Sequence, residues 1–459
     1  MAGDGGMTGK QFQEREGTED WRVLGWGVSA WFSAPSHAAG AVLVRRVVES
    51  GAGLGIVPDV DLRDSGVHVR IHVAELGSLT DRDVALAAQV SGVARELGLV
   101  ADPTAVQHVN LTLDALDASA VMSFWATALG YDVDGEDVID PRRLHPGIWF
   151  QDMDAPRPLR NRIHLDAGTP YDLAAARVAA VVGDGGTIVR SGMWRTLADP
   201  EGNEVDVFPL TPGDDLSGLA GAEDWRAMLS AMVRYRVRPG TEEPSGSDAA
   251  LALAEAAARV ADEAGVALLI SLRPDAVTIS TGKDRWTVPA YTPVFPQVQA
   301  AARELGLIAD PAGVLDLQIA IDAVDLPAVR NFWAATLGYR PLTDVVPGGA
   351  PYDLYDPRGL NPPIMLQPAD PSETERLAQR NRIHVDVYVP DDQAAARIAA
   401  AVAAGGRIVY DAEAPEWWTL ADPEGNEVDV AVVPGREEIW LAAQGTGRQD
   451  AEKEEATHD

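Results

Sequence analysis

The chain is written twice. EDWR at 19–22 returns at 223–226, RELGLVADP at 95–103 returns as RELGLIADP at 303–311, and FWATALGY at 124–131 returns as FWAATLGY at 332–339. RNRIH at 160–164 returns at 380–384, and LADPEGNEVDV at 197–207 returns from 420. The offset grows slowly from 204 to 223 residues while the order is kept. A duplicated unit with small loop insertions has that signature, and two copies of this length suit tandem domains better than a solenoid.

Each unit divides again. The earlier parts, 18–100 and 222–308, mix short strand-like runs such as VHVRIHV with alanine-rich helical stretches. The later parts, 104–210 and 312–434, show a β-α-β pattern written twice: an alternating strand from Val106 to Leu113, a helix-periodic DASAVMSFWATALGY ending at glycine, and strands ending in GIWF. Then come the strand RIHLDA, a helix from about Tyr171 to Val182, and strands ending in GNEVDVF. Residues 209–222 join the units, 238–248 form an internal loop, and 435–459 read as a disordered acidic tail.

Composition narrows the function. With 37 Lys plus Arg against 70 Asp plus Glu, a net charge of −33 repels phosphate backbones and anionic lipid, so neither nucleic acid nor membrane is expected as a partner. There is no cysteine, which excludes thiolate metal sites and leaves His and carboxylate as ligands. The N-terminus has no apolar signal-like run, and the expected location is cytoplasmic.

In the strand RIHLDA, Ile163 and Leu165 share one parity and His164 and Asp166 the other. The apolar pair faces a core, and the histidine and aspartate share the opposite, polar face. HVNLTLDALDASAVMSFWATALGY, RNRIHLDA and TLADPEGNEVDVF, in that order, resemble the vicinal oxygen chelate superfamily, which includes glyoxalase I, bleomycin-binding proteins and extradiol dioxygenases. The resemblance implies an α+β fold in which paired βαβββ modules curl into a cup around a small molecule or a metal. Carried onto the first copy, the family's ligand positions fall on His108, His164 and Asp206; on the second they fall on Asp316, His384 and Asp429. Two imidazoles and a carboxylate suit one divalent ion such as Zn, Mn, Ni or Fe and leave positions open for substrate oxygens. The second set replaces one imidazole with a carboxylate and is the weaker.

Arg160, Arg162, Arg380 and Arg382 could meet an anionic ligand or pair with nearby acids, and Asn161 and Asn381 suit the turn. Phe124, Trp125, Phe332 and Trp333 fall on helices and are expected to pack them against the sheets. Trp149, Trp194, Trp417 and Trp418 lie on or near strands, where a flat ligand could stack; with Arg162 and Arg382 they form the candidate ligand-binding set. Twelve tryptophans against seven phenylalanines favour an aromatic ligand. In the DPEGN turns, Gly202 and Gly425 are placed where a positive φ is needed.

Residues 53–90 resemble pterin-4a-carbinolamine dehydratase: Pro58, Asp59, Val67, Val69, Leu79, Thr80 and Asp83 match the family pattern. The family's paired histidines are replaced by Ile56 and Val57, and its Thr-His by Val73 and Ala74. The second copy keeps Pro274 and Asp275 but has Leu272 and Arg273 at the paired positions. That dehydration needs imidazoles as acid and base, which aliphatic residues cannot replace. His68 and His72 remain on one face of a strand.

Each unit is therefore expected to hold a degenerate dehydratase-like domain followed by a glyoxalase-like one, with the whole chain either a monomer with an internal pseudo-dimer or a homodimer. One functional reading is a protein that sequesters a hydrophobic or aromatic compound in its cups. The alternative is a divalent-metal enzyme of lyase, isomerase or dioxygenase type in 104–210, and a third is the dehydratase itself.

Overall fold

The structure, a computed structural model, describes residues 6–25, 27–73, 77–210, 216, 218–237 and 245–435. The tail expected beyond 435, Ala74 and most of the 238–248 loop lie outside the described residues. The fold is α+β, with three sheets among the described residues. Among them, no helix is long and apolar enough to cross a membrane.

The two dehydratase-like parts do not stand as separate bodies. Their strands merge into one ten-stranded sheet, joined where Asp59–Arg63 pairs antiparallel with Leu269–Arg273. The helices His37–Leu54, Asp81–Glu96, Ser245–Ala264 and Val294–Glu304 contribute apolar faces to a core shared by both copies. Across this seam His37, 1% exposed, meets Asp262 Oδ1 at 3.1 Å and Leu268 O at 3.0 Å.

The glyoxalase-like parts are joined more tightly still, because each sheet takes half of its strands from each copy. The strand Ile163–Gly168 pairs antiparallel with Asp316–Ala323 of the second copy, and Ile383–Tyr388 pairs with His108–Ala115 of the first. Both eight-stranded sheets are thus built across the duplication. The connectors before Ile163 and Ile383 cross each other. Asn381 Oδ1 accepts from the backbone N–H of Arg162 at 2.8 Å, and Asn161 Oδ1 from that of Arg382 at 3.0 Å. A one-residue slip would break both bonds and turn each histidine to the opposite face.

The helices that back these sheets form for local reasons. Asp117 caps Ala118–Leu129 by accepting from Ala120 N at 3.2 Å, and Asp325 caps Leu326–Leu337 at 3.1 Å. Phe124, Trp125, Phe332 and Trp333 are fully buried, as expected, and the two indole N–H groups donate to Asp199 and Asp422. These aspartates also accept from the backbone of the DPEGN turns, so each helix is tied to the turn that precedes the closing strand. Gly202 and Gly425 have φ of 84° and 87°.

Candidate metal centres at the crossed halves

On the strand Ile163–Gly168, Ile163, Leu165 and Ala167 enter the core while His164 and Asp166 face the other way. The strand Glu204–Phe208 runs parallel beside it and sets Asp206 level with Asp166. His164 Nε2 lies 3.5 Å from Asp166 Oδ1 and 4.0 Å from Asp206 Oδ2. The second copy repeats the arrangement: His384 Nε2 is 3.6 Å from Asp386 Oδ1 and 3.8 Å from Asp429 Oδ2. In each group one ligand atom from each of the three side chains lies within 4.8 Å of the others.

The two groups take their facing wall from the opposite copy. Gln318 donates to Asp166 Oδ2 at 2.5 Å, and Thr112 donates its hydroxyl to Asp386 Oδ2 at 2.6 Å. The first group is deeply buried, with His164, Asp166 and Asp206 at 3%, 4% and 9% exposure. Burial, and then the neighbouring Asp206 carboxylate, push Asp166 up to about 7 against the donation from Gln318. Burial raises Asp206 and, in the second group, Asp429 as well. Burial also lowers His164 to about 4, so its imidazole is neutral at pH 7 and able to coordinate.

The donor set fits a divalent cation. His164 Nδ1, Asp166 Oδ1 and Asp206 Oδ1 are buried without a hydrogen-bond partner, as is Asp429 Oδ1. Buried polar atoms of that kind call for a compensating partner. Tetrahedral ligands at about 2.1 Å from a zinc-like ion stand roughly 3.4 Å apart. The observed 3.5–4.0 Å separations need little contraction.

The ligand sets taken from the resemblance are corrected here. His164 with Asp206, and His384 with Asp429, do come together. His108 does not join His164: its strand belongs to the other sheet, where His108 stands opposite Tyr388 and four positions from Thr112, the residue opposite His384. That is about 13 Å along a strand. Asp316 is opposite Gly168, four positions from the partner of His164, and accepts the Ser230 N–H. The physical reason is the crossing of the connectors, which pairs halves of different copies. The residues overlooked as ligands are Asp166 and Asp386. Their signal was present, since each shares its histidine's strand face two residues on.

The other candidates divide. Arg162 and Arg382 are 2% and 1% exposed and are committed to backbone carbonyls of the opposite copy, so they are not ligand-binding residues. Arg162 donates to Glu424 and Gly425, and Arg382 donates to Gly202 O at 3.0 Å and to Asn203 Oδ1 at 2.6 Å. Arg160 pairs with Glu204 and Asp322, each at 2.7 Å, and Arg380 with Glu427 at 2.8 Å. Thr196 and Thr419 stand opposite Asp206 and Asp429, which puts Trp194 and Trp417, two residues before them, on the same side. Trp418 has the other parity and packs against the core. Trp149 is 37% exposed on the strand Ile148–Asp152. His68 is buried against Asp61, while His72, at the end of its strand, is exposed.

Paired βαβββ modules with a histidine–carboxylate group on the inner strands define the vicinal oxygen chelate class. Residues 110–208 and 318–431 each match the family described as a glyoxalase-like domain. A putative pterin-4-alpha-carbinolamine dehydratase of Nocardia farcinica (strain IFM 10152) is 37% identical over 76 residues, 17% of this chain and 80% of that relative. Residues 110–208 and 318–431 are thus two glyoxalase-like domains, and the chain also carries a pterin dehydratase-like part. Among solved structures, glyoxalase I from Zea mays is 11% identical, with 73% of this chain and 95% of that chain covered at a TM-score of 0.35. The cppA protein of Streptococcus pneumoniae TIGR4 is 8% identical, with 71% and 97% covered at a TM-score of 0.29.

Proposed function

We propose that the protein is a divalent-metal-dependent enzyme of the vicinal oxygen chelate type, with two centres at His164, Asp166, Asp206 and His384, Asp386, Asp429. The observation that carries this reading is the convergence, in the first centre, of the neutral His164 imidazole with Asp166 and Asp206, each of which keeps one buried carboxylate oxygen without a hydrogen-bond partner. A bound cation would supply Lewis-acid polarisation of a substrate oxygen in a lyase, isomerase or dioxygenase type of reaction. The chain's own part is to hold the ligand atoms. Gln318 and Thr112 fix one oxygen of Asp166 and Asp386 and leave the other turned towards the histidine. Trp194 and Trp417 flank the two groups and suit a substrate with a flat apolar part. Zn, Mn, Ni and Fe(II) are the candidate ions, since imidazole with carboxylates accommodates all four.

Sequestration of an aromatic compound without turnover is the second reading, supported by the same tryptophans. Pterin dehydration has no support, because Ile56 and Val57 bring no imidazole. The crossed halves support a single chain acting as its own pseudo-dimer, and the net charge of −33 supports cytoplasmic action on small molecules rather than on nucleic acid or membrane.

The test is metal content after purification without chelator and after loading with each ion in turn. Two equivalents are expected in the wild type, and one in either His164→Ala or His384→Ala. No bound metal under any loading overturns the enzyme reading and leaves sequestration.

A further inference from the structure

A chamber of about 810 Å³ lies between the first dehydratase-like part and the first glyoxalase-like module. One wall is the strands Asp59–Arg63 and Gly66–His72; the other is His108–Ala115, Ile148–Asp152 and the turn 141–147. The volume is that of a pocket for a drug-sized compound. His384, Asp386 and Asp429 are not among its lining residues. Neither are Ile56 and Val57, which occupy the dehydratase histidine positions.

Its duplicate in the second copy has closed to about 120 Å³. Aligning VHVRIH with VTISTG places Thr278, Ser280 and Gly282 where the first copy has His68, Arg70 and His72, and Asp316 answers His108. There Lys283 lines the cavity, and its amine is held by Asp353 at 2.5 Å and Gln318 at 2.6 Å. On the aligned strand, imidazole and guanidinium side chains thus line the wide chamber, where small polar residues line the narrow one.

Arg70 is the cation left over in it. Asp59 is engaged by Arg143 at 2.9 Å, and Asp61 by Arg273 at 3.0 Å and His68 Nδ1 at 3.1 Å. Arg70 Nε is buried without a hydrogen-bond partner, and the described residues offer its guanidinium no ion pair. Arg143 holds φ at +54°, where its duplicate, Gly359, holds +58°. A left-handed backbone disfavours any side chain beyond glycine, so Arg143 is held there against its local preference. Its guanidinium pairs with Asp59, and Asp59 and Asp61 reach Arg70 only at longer range than an ion pair. Trp149 offers an exposed ring to the same space, while Asp132, Asp134, Glu136 and Asp137, which also line it, would repel a polyanion.

We infer that this chamber binds a flat organic anion carrying a single acidic group, with that group at Arg70 and its ring against Trp149. The dehydratase-like sheet then acts as one wall of a ligand site that adjoins the second metal centre, since Asn110 lines the chamber and stands opposite Asp386. His72 and His108, whose imidazoles desolvation and the Arg70 charge keep neutral, supply hydrogen bonds around the anion.

The test is calorimetric titration of the full-length, EDTA-treated protein with 2-naphthoate and with uncharged 2-naphthamide. Metal depletion keeps the result independent of the two metal centres. One naphthoate per chain is expected, bound at least tenfold tighter than the amide. Arg70→Gln should erase that preference with the melting temperature unchanged, Arg70→Lys should keep part of it, and Trp149→Ala should weaken both ligands. Equal affinity for acid and amide, a preference that survives in Arg70→Gln, or no binding of naphthoate at millimolar concentration overturns the inference. If Arg70→Gln fails to fold, the acid-to-amide ratio in the wild type and in Arg70→Lys decides it.

Discussion

The two histidine–aspartate–aspartate groups differ less in themselves than in what faces them. His164, Asp166 and Asp206 have the same spacing and nearly the same distances as His384, Asp386 and Asp429. The facing strands have drifted apart: Gln318 and Ala320 stand opposite Asp166 and His164, whereas Asn110 and Thr112 stand opposite Asp386 and His384. Side-chain exposure is 12% for Asp206 but 19% for Asp429. The duplication has kept the metal-competent half of each cup and varied the half that a ligand would meet. Because the halves are exchanged, each variation sits in the copy opposite the centre it affects.

The largest expected effect concerns the crossing that creates both groups. Arg382 donates to Asn203, Gly202 and Leu159. Arg162 donates to the backbone of Glu424, Gly425 and Gln379, the last two at 3.2 and 3.3 Å. Arg382→Ala should lose about 4 kcal/mol in urea unfolding and Arg162→Ala about 2 kcal/mol, because buried acceptors are stranded in each case. Equal losses would mean that the two crossings are equivalent after all.

The metal-free first group should respond to pH in two opposing ways. Asp166 is raised to about 7, so the folded state holds a proton that the unfolded chain has released. Its contribution is present at low pH and is lost as pH rises from about 4 to 7. His164 is lowered to about 4, so its contribution is present above about 6.5 and is lost as pH falls towards 4. The two offset in the wild type. In EDTA-treated protein, Asp166→Asn should become less stable on acidification relative to wild type, by roughly 4 kcal/mol across its window, and His164→Gln less stable on raising the pH, by roughly 3 kcal/mol. Chemical unfolding at several pH values reads the tilt, and parallel profiles would show that the two groups do not titrate this way.

The smallest effect separates the facing walls. Gln318→Leu and Thr112→Val each remove one donor to a buried carboxylate and should cost about 1–2 kcal/mol in metal-free protein. Gln318→Leu should cost more, because Asp166 lies in the more buried group. The reverse order, read from melting curves, would place the greater strain in the second group.

Much of this was legible in the sequence. Alternation along RIHLDA put His164 and Asp166 on one face, the DPEGN turns located Asp206 and Asp429, and the helix aromatics were packed as their periodicity implied. The partner of each strand was not legible. A period-two pattern says which face is polar but not which copy of a duplicated strand lies alongside, and His108 and Asp316 are equally good partners on pattern alone. Arg162 and Arg382 misled for the same reason: their acceptors lie in the opposite copy and, apart from Asn203 Oδ1, are backbone carbonyls, which leave no mark in side-chain chemistry. The chamber walls come from segments far apart in the chain, so no local motif announces them.

The central claim is that each centre is assembled across the duplication, and the absence of native cysteine makes it directly testable. Ala167 lies opposite Leu317, whose duplicate in the first copy is Val109. Directly opposed strand residues are close enough for a disulfide to form with small adjustment. The Ala167→Cys, Leu317→Cys protein should oxidise to an intrachain disulfide, read by non-reducing mass analysis of the monomer. The Val109→Cys, Ala167→Cys protein should stay reduced. The opposite outcome would place both halves of each cup within one copy and contradict the account.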